Sequence, residues 1–181
     1  VCGSTYAGAP SLTVTSGGGF ALMVEGISLA GMLELPVVIL LAQRPGPATG
    51  LPTRTAQGDL NMAIHAGHGE FPKVVFAPGT HQECYAITRH AVMMAHKYQT
   101  PVIILTDQFL QDAEKNIRPL SEELKPVDCF LSAGGREYAR YALSPDGISP
   151  RAVPGGEALV VVDSDEHDQC GHISEDLAHD H

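Results

Sequence analysis

Apolar residues occur along the first two thirds of the chain in short continuous runs, with helical patterns between them. Four of the runs have the length of buried strands: 12–15, 37–42, 74–77 and 102–106. Continuous rather than alternating apolar character is typical of a parallel sheet that is covered on both faces. A fifth run, 158–162, predicts a last strand nearer the C-terminus.

Two helical segments lie between these runs. Residues 20–33 are apolar nearly all round, which predicts a buried helix. Residues 80–98 carry apolar side chains at helical spacing, and Thr80 with Glu83 forms a capping-box sequence at their start. The alternation of strand and helix predicts an α/β fold with a doubly wound, mainly parallel sheet, right-handed crossovers and helices on both faces.

The pattern changes after residue 118. Residues 119–154 are rich in proline, glycine and charge, and the stretch 163–181 is an acidic, histidine-rich tail. We therefore predict an α/β domain over 1–118 and, over 119–181, an extended excursion, the final strand and the tail. Because Val1 opens a helix-like segment, we expect a longer protein, with the first domain truncated at its N-terminus and a further domain after the tail.

Charge and cysteine spacing exclude several classes of protein. The formal net charge is -10 at pH 7, and without a basic stripe we expect no nucleic-acid partner. No apolar run approaches the roughly 20 residues of a membrane-spanning helix, and no signal-peptide pattern opens the chain. The four cysteines are far apart and form no CxxC pair, so they predict no disulfide framework and no cluster or zinc site. These features together predict a cytoplasmic protein.

A glycine run, TSGGGF, joins the first predicted strand to the first helix. Free backbone N–H groups at such a junction can bind an anion. However, Leu22 stands where the third glycine of a dinucleotide fingerprint would fall, and no Walker lysine follows. Close backbone packing at Gly17, Gly18 and Gly19 is the favoured interpretation, and phosphate contact is the alternative.

The loop after the second predicted strand reads RPGPATGLPTRTAQGDL, and in an open α/β sheet this end of a strand is where ligands bind. Arg44 follows an apolar run, so its stem should be partly buried while its guanidinium can grip a carboxylate. Thr49 and Thr53 stand on the same loop, whose three prolines restrict the backbone. The residues alone leave two interpretations equal: a ligand-binding arginine, or a structural one paired with a neighbouring acid.

Histidines suggest a metal site only weakly. His65, His68 and Glu70 lie in HAGHGE, which is not the HExxH of a zinc protease, and its glycines disfavour a helix. The tail is dense in Asp, Glu and His, but a solvated acidic segment is the simpler interpretation. We therefore predict no metal site. No GxSxG or triad pattern supports nucleophilic catalysis.

Six stretches, covering about residues 4 to 177, resemble the alpha subunit of 2-oxoacid:ferredoxin oxidoreductases, and most of all its 2-oxoglutarate type. They are TVTSGGGFALMVEGISLAGMLELPVVI, QRPGPATGLPTRTAQGDL, AGHGEFP, TPVIILTDQFL, GISPRAVPG and VVVDSDEHDQCGHISED. They follow one another in the order that the family has them. The long loop motif is far more distinctive than any short glycine pattern.

The resemblance implies the pyrimidine-binding domain of a thiamine diphosphate enzyme. Such an enzyme oxidatively decarboxylates a 2-oxoacid, here 2-oxoglutarate, to an acyl-coenzyme A and passes the electrons to ferredoxin. The diphosphate, its magnesium ion and an iron–sulfur cluster would be held with or by a partner beta subunit. Gamma or delta subunits or domains, and a dimer of heteromers, are also implied.

The resemblance also assigns roles to individual residues. Arg44 matches the family arginine that holds the substrate carboxylate, and Thr53 matches a threonine near the substrate, with Thr49 beside it on the loop. The run 17–19 would contact the cofactor. The glutamate that activates the aminopyrimidine ring is expected upstream of Val1, so we predict no catalytic residue in this chain and no turnover by the chain alone.

Two rival functions stay open at this point. The domain could be chiefly an assembly module, because the apolar helices 20–33 and 84–98 could bury partner surface. It could instead be a metal-dependent hydrolase that uses His65, His68 and the acidic tail.

Overall fold

The computed structural model describes residues 1–120, 126–163 and 166–175. Its elements, in chain order, are α1 (Cys2–Tyr6), β1 (Leu12–Ser16), α2 (Gly17–Leu22), α3 (Val24–Met32), β2 (Val38–Gln43), α4 (Leu60–Ile64), β3 (Val74–Phe76), α5 (His81–Tyr98), β4 (Val102–Asp107) and α6 (Gln108–Asp112). None of the helices in this part of the chain is long and apolar enough to cross a membrane.

The four strands form one sheet in the order β1-β2-β4-β3, and every neighbouring pair is parallel. Each strand lies where an apolar run predicted it, with ends that differ by at most one residue. The predicted α/β fold with a doubly wound parallel sheet is therefore confirmed. Because the strands all point the same way, their carboxyl ends share one edge of the sheet.

Helices cover both faces of the sheet, and the strand residues alternate between two apolar clusters. On one face Ile39, Leu41, Ile103 and Leu105 pack with Phe20, Ile27 and Ala30 from α2 and α3. On the other face Val38, Val102 and Ile104 pack with Ala91 and Ala95 from α5. Burial on both faces explains why β2 and β4 are apolar at successive positions, rather than at alternate ones, until their polar ends.

The helix predicted over 20–33 was wrong in two respects. It is broken at Met23, whose N–H bonds to the Phe20 carbonyl three residues back, so α2 and α3 are separate helices. It is also not buried all round, since Leu22 and Leu29 are 88% and 49% exposed. A helix that packs on a sheet buries only the face that is turned to the sheet. The opposite face of α2 and α3 is also apolar here, and it is exposed.

Helix α5 begins as its sequence predicted. The Thr80 hydroxyl accepts a hydrogen bond from the Glu83 N–H at 3.2 Å. The Glu83 carboxylate reaches back to the N–H of Gly79 at 2.8 Å, one residue earlier than in the standard capping box. Both bonds satisfy donors that a helix start would otherwise leave without a partner.

The predicted last strand over 158–162 was wrong. In the described part of the chain these residues belong to no sheet, and Leu159 is 82% exposed. Just after the run, the Asp163 N–H donates to the Gly171 carbonyl at 2.9 Å. An apolar run forms a strand only where a neighbouring strand can pair with its backbone, and the described chain provides none here.

Two buried arginines attach the second part of the chain to the α/β layer. Arg140 donates to the Glu34 carboxylate and to the Leu33 carbonyl, both at 3.1 Å. Arg151 donates to the Thr5 carbonyl at 3.0 Å. The division at residue 118 stays a prediction. The two guanidinium groups make buried contacts across it, and the Gln99 amide adds a hydrogen bond to the Ser149 carbonyl.

Arg151 also contacts a histidine on the inner face of α5. His96 is 1% exposed, and its Nδ1 accepts a hydrogen bond from Arg151 at 3.1 Å. Burial, and then the neighbouring positive charge of Arg151, lowers the pKa of His96 to about 4. The ring is therefore neutral in the folded protein at pH values where an unfolded histidine binds a proton.

We expect stability to fall as the pH is lowered from about 6.5 to 4, because His96 takes up a proton in this window only when the chain unfolds. One such residue contributes a slope of up to about 1.4 kcal/mol per pH unit. Urea unfolding of wild type, His96→Gln and the exposed control His68→Gln across this range measures it. Only in His96→Gln should the free energy of unfolding depend less steeply on pH. If His96→Gln keeps the slope of wild type, His96 is not the group that takes up the proton.

Candidate functional site

Three strands end in polar residues at the shared carboxyl edge of the sheet. The strands β1, β2 and β4 end at Ser16, Gln43 and Asp107, and Gln43 pairs directly with Asp107. The glycine run follows β1, the proline-rich loop 44–59 follows β2, and α6 follows β4. The structure thus places the predicted loop at the edge where open α/β sheets bind ligands.

Loop 44–59 is attached to this edge at its C-terminal half. The Gln43 side-chain oxygen accepts from the Asp59 N–H at 3.0 Å, so the two ends of the loop are joined. The Gln57 amide donates to the Asp107 carboxylate at 2.7 Å. The Phe109 N–H donates to the Thr55 hydroxyl at 3.4 Å. No sequence pattern assigned a role to Gln57, Asp59 or Asp107. Asp107 ends β4 and Asp59 directly precedes α4, and these two positions were the only signal.

The N-terminal half of the loop forms its own tight turn. The Leu51 N–H donates to the Pro45 carbonyl at 3.1 Å. Gly50 lies in the left-handed region with φ of 55°, and a Cβ on it would overlap the Pro45 carbonyl. Only glycine fits at this position.

Arg44 begins the loop and is half-buried. Its Nε is buried without a hydrogen-bond partner. Within the described residues its guanidinium makes no hydrogen bond or ion pair, so no acidic neighbour supports the purely structural interpretation. A buried donor without a partner is costly, and a bound carboxylate would satisfy it.

Thr49 and Thr53 are exposed on the same loop, and neither hydroxyl has a hydrogen-bond partner within the described chain. The structure shows no bond between either threonine and Arg44. Their role as substrate-binding residues stays a prediction.

The glycine run forms the first turn of α2, and its residues differ in how closely they are packed. A Cβ on Gly17 would lie 2.9 Å from the Asp59 carboxylate, and one on Gly19 would overlap the Thr15 hydroxyl. Gly18 has ordinary room, with the Ala48 carbonyl 3.6 Å away. Close packing therefore explains Gly17 and Gly19, and cofactor contact by the run stays a prediction.

Two carboxyl groups at the edge have opposite electrostatic surroundings. Hydrogen bonds from Gln57 and from the Leu110 N–H hold the pKa of Asp107 below its usual value. Burial raises the pKa of Asp59, and its Oδ2 is buried with no partner. Asp107 is thus stabilised as an anion, whereas the site disfavours a charge on Asp59.

Metal-ligating side chains come together elsewhere, but not as the hydrolase hypothesis requires. In the described residues one group of three donors lies close together, Asp168, Cys170 and His172, with ligand atoms within 4.8 Å. Asp168 accepts from the N–H groups of Cys170 and His172 at 2.8 and 3.1 Å, so a tight turn explains their approach. His65 and His68 are exposed and belong to no such group.

Comparison with known proteins gives consistent similarities. The family model described as "Pyruvate flavodoxin/ferredoxin oxidoreductase, thiamine diP-bdg" matches residues 1–181. The chain is 47% identical over 179 residues to 2-oxoacid:ferredoxin oxidoreductase 1, subunit alpha, of Sulfurisphaera tokodaii. The aligned region covers 97% of this chain and 28% of that protein. It is 36% identical over 159 residues to the 2-oxoglutarate oxidoreductase subunit KorA of Mycobacterium tuberculosis, covering 87% of this chain and 24% of that protein.

A solved structure has the same fold. It is a 2-oxoglutarate:ferredoxin oxidoreductase from Magnetococcus marinus with 2-oxoglutarate, coenzyme A and succinyl-CoA bound. The match has a TM-score of 0.90 and 39% identity, and it covers 99% of this chain and 32% of that one. The chain therefore spans only about a quarter to a third of the length of these three relatives.

We expect Gly50→Ala to open the turn of the loop, because the added Cβ overlaps the Pro45 carbonyl and the left-handed backbone costs about 1–2 kcal/mol for alanine. Trypsin cleavage of the native protein after the exposed Arg54 should become several-fold faster. Gly58→Ala is the matched control, since a Cβ there meets no atom within 4 Å. Equal cleavage rates in the two variants would show that the turn does not order the loop.

Proposed function

The chain belongs to the thiamine diphosphate-binding family of pyruvate flavodoxin/ferredoxin oxidoreductases, and from this premise we propose that it is part of the alpha subunit of a 2-oxoacid:ferredoxin oxidoreductase. The enzyme converts a 2-oxoacid and coenzyme A to an acyl-coenzyme A and carbon dioxide, and two electrons pass to ferredoxin. The activity, substrate and partners are those that the names of its relatives suggest.

One observation carries the proposal: at the carboxyl edge of the sheet lies a guanidinium, that of Arg44, without a partner among the described residues. Arg44 is held at the start of a loop whose ends are joined and whose first half is a tight turn. A planar guanidinium can bind a carboxylate through two parallel hydrogen bonds, which fixes both the position and the orientation of the bound acid.

The residues at the edge also fit the family's cofactor. A Cβ on Gly18 would meet only the Ala48 carbonyl, at 3.6 Å, so the middle of the run has room for close approach of a flat ring to its backbone. When bound, thiamine diphosphate supplies the nucleophilic carbon for decarboxylation chemistry. In our proposal the run 17–19 lies against the cofactor, and a beta subunit holds its diphosphate and magnesium ion as well as an iron–sulfur cluster.

Arg44 contributes by orienting the acid. It holds the carboxylate of the 2-oxoacid so that the keto carbon faces the reacting centre, while the loop, tied to Gln43 and Asp107, limits its movement. Orientation of this kind contributes several kcal/mol, up to about 7–11 in the best intramolecular cases. Thr53 and Thr49 offer hydroxyl groups on the same loop for the remaining oxygens.

The substrate is 2-oxoglutarate in our proposal. Relatives of this chain are named for 2-oxoglutarate, and 2-oxoglutarate is bound in the similar structure from Magnetococcus marinus. The other subunits of a dimer of heteromers, including gamma or delta parts, complete the enzyme. This chain would then provide one wall of the active site and the counter-ion for the substrate.

A second candidate role is assembly of the subunits, and the uncovered apolar face of α2 and α3 favours it. Leu22 and Leu29 lie on the side of these helices away from the sheet. Apolar side chains this exposed are typical of a surface that a partner covers. The two roles are compatible, because a pocket wall is also a subunit contact.

We expect Arg44→Ala, made in the full-length alpha subunit of the assembled enzyme, to raise KM for the 2-oxoacid by about a hundredfold. The reason is the loss of charge-assisted hydrogen bonds to the carboxylate, about 3 kcal/mol in total. Steady-state kinetics measures the change. The KM of Arg44→Lys should fall between those of wild type and Arg44→Ala. Arg54 is exposed on the same loop, and Arg54→Ala should have the KM of wild type. A KM for Arg44→Ala equal to that of wild type would refute the substrate role.

For the assembly role, Leu22→Glu in the full-length subunit should sharply weaken co-purification of the beta subunit, because a charge would be buried in the contact. The control is Leu143→Glu, another leucine that is about four-fifths exposed. Full recovery of the partner with Leu22→Glu would place the interface elsewhere.

A further inference from the structure

We propose that Asp107 is a positioning residue, which holds loop 44–59 through Gln57 and so keeps the Arg44 guanidinium available to the substrate. This inference rests on the proposed function, because it concerns how that same site is built. It assigns a role to two residues that are fifty positions apart in the chain and meet only in the folded protein.

The two oxygens of Asp107 have separate tasks. Asp107 ends the buried strand β4 and is 9% exposed. Its Oδ1 accepts from the Leu110 N–H at 2.8 Å and caps α6, while its Oδ2 accepts from the Gln57 amide at 2.7 Å. One carboxylate at the end of a buried strand therefore holds both the start of α6 and the loop at Gln57.

The latch, defined as the Gln57–Asp107 hydrogen bond, is the strongest of the loop's attachments. It is shorter than the Asp59–Gln43 bond at 3.0 Å and the Phe109–Thr55 bond at 3.4 Å. Its acceptor is a carboxylate, and hydrogen bonds with an ionised partner are about twice as strong as neutral ones. Without it, the loop would be held mainly at its two ends and could tilt about them.

The latch also has an electrostatic consequence for Arg44. Asp107 pairs in the sheet with Gln43, the residue directly before Arg44, so its carboxylate and Arg44 lie at the same edge of the sheet. A guanidinium paired with that anion would be lost to an incoming carboxylate. Gln57 and the Leu110 N–H instead donate to the two oxygens, and Arg44 makes no hydrogen bond or ion pair with any described residue.

The test exchanges the two ends of the latch in the assembled enzyme. In Asp107→Asn the side chain can no longer accept at two oxygens, and we expect a KM for the 2-oxoacid about tenfold above that of wild type. Gln57→Glu places two carboxylates together and should raise KM further. In the double variant Asp107→Asn/Gln57→Glu, the asparagine amide donates to the glutamate while its oxygen still caps α6, so KM should return to within about threefold of the wild-type value.

Two controls separate this role from a general effect on folding or charge. Gln82→Glu, the same change at an exposed position, should leave KM as in wild type. In an Arg44→Ala background, Asp107→Asn should add little, because both changes remove the same interaction with the substrate. A full tenfold effect in that background would overturn the inference.

Hydrogen exchange gives a readout that does not depend on activity. Peptides from 44–59 should exchange faster in Asp107→Asn and regain protection in the double variant. The latch would be overturned if hydrogen exchange were unchanged in Asp107→Asn, or if the KM of the double variant were as high as that of Gln57→Glu. Either result would leave the proposed function intact. If the exchange results hold but Arg44→Ala leaves KM unchanged, the proposed function fails, and with it the role of the latch in substrate binding.

Discussion

The parallel pairing of β1, β2 and β4 is the constraint on which the rest of the molecule depends. Because helices cover both faces, every side chain along β2 and β4 must suit an apolar layer, and polar groups can occur only where the strands end. Parallel strands bring those ends to one edge. Gln43 and Asp107 are the ladder's last pair, and the loop that carries Arg44 is bonded to both of them.

The edge holds an arrangement that is unfavourable for the isolated chain. A buried Arg44 Nε and a buried Asp59 Oδ2 both lack partners in the part of the chain that the structure describes, and each such group costs about 1–3 kcal/mol. The tight turn at Gly50 and the attachments to Gln43 and Asp107 keep the loop in place in spite of this cost. Strain of this kind is expected where a ligand or partner completes the set of hydrogen bonds.

Sequence patterns predicted the parts of this structure that depend on local order. Four strands, the cap of α5 and the position of the loop follow from apolar runs and nearby residues. The latch did not, because residues fifty positions apart leave no local pattern. The failed strand at 158–162 has a related cause, since its apolar residues are suitable but its pairing partner is decided by the whole fold.

In the proposed function an acidic protein binds an acidic substrate, so its own anions must not pair with the cation that receives that substrate. The chain carries a net charge of -10, and two of its carboxyl groups lie at the binding edge. Asp107 has both oxygens occupied by neutral N–H donors, and the burial of Asp59 disfavours its ionised form. Arg44 therefore makes no ion pair among the described residues, and its guanidinium can receive a carboxylate although the protein as a whole carries a net negative charge.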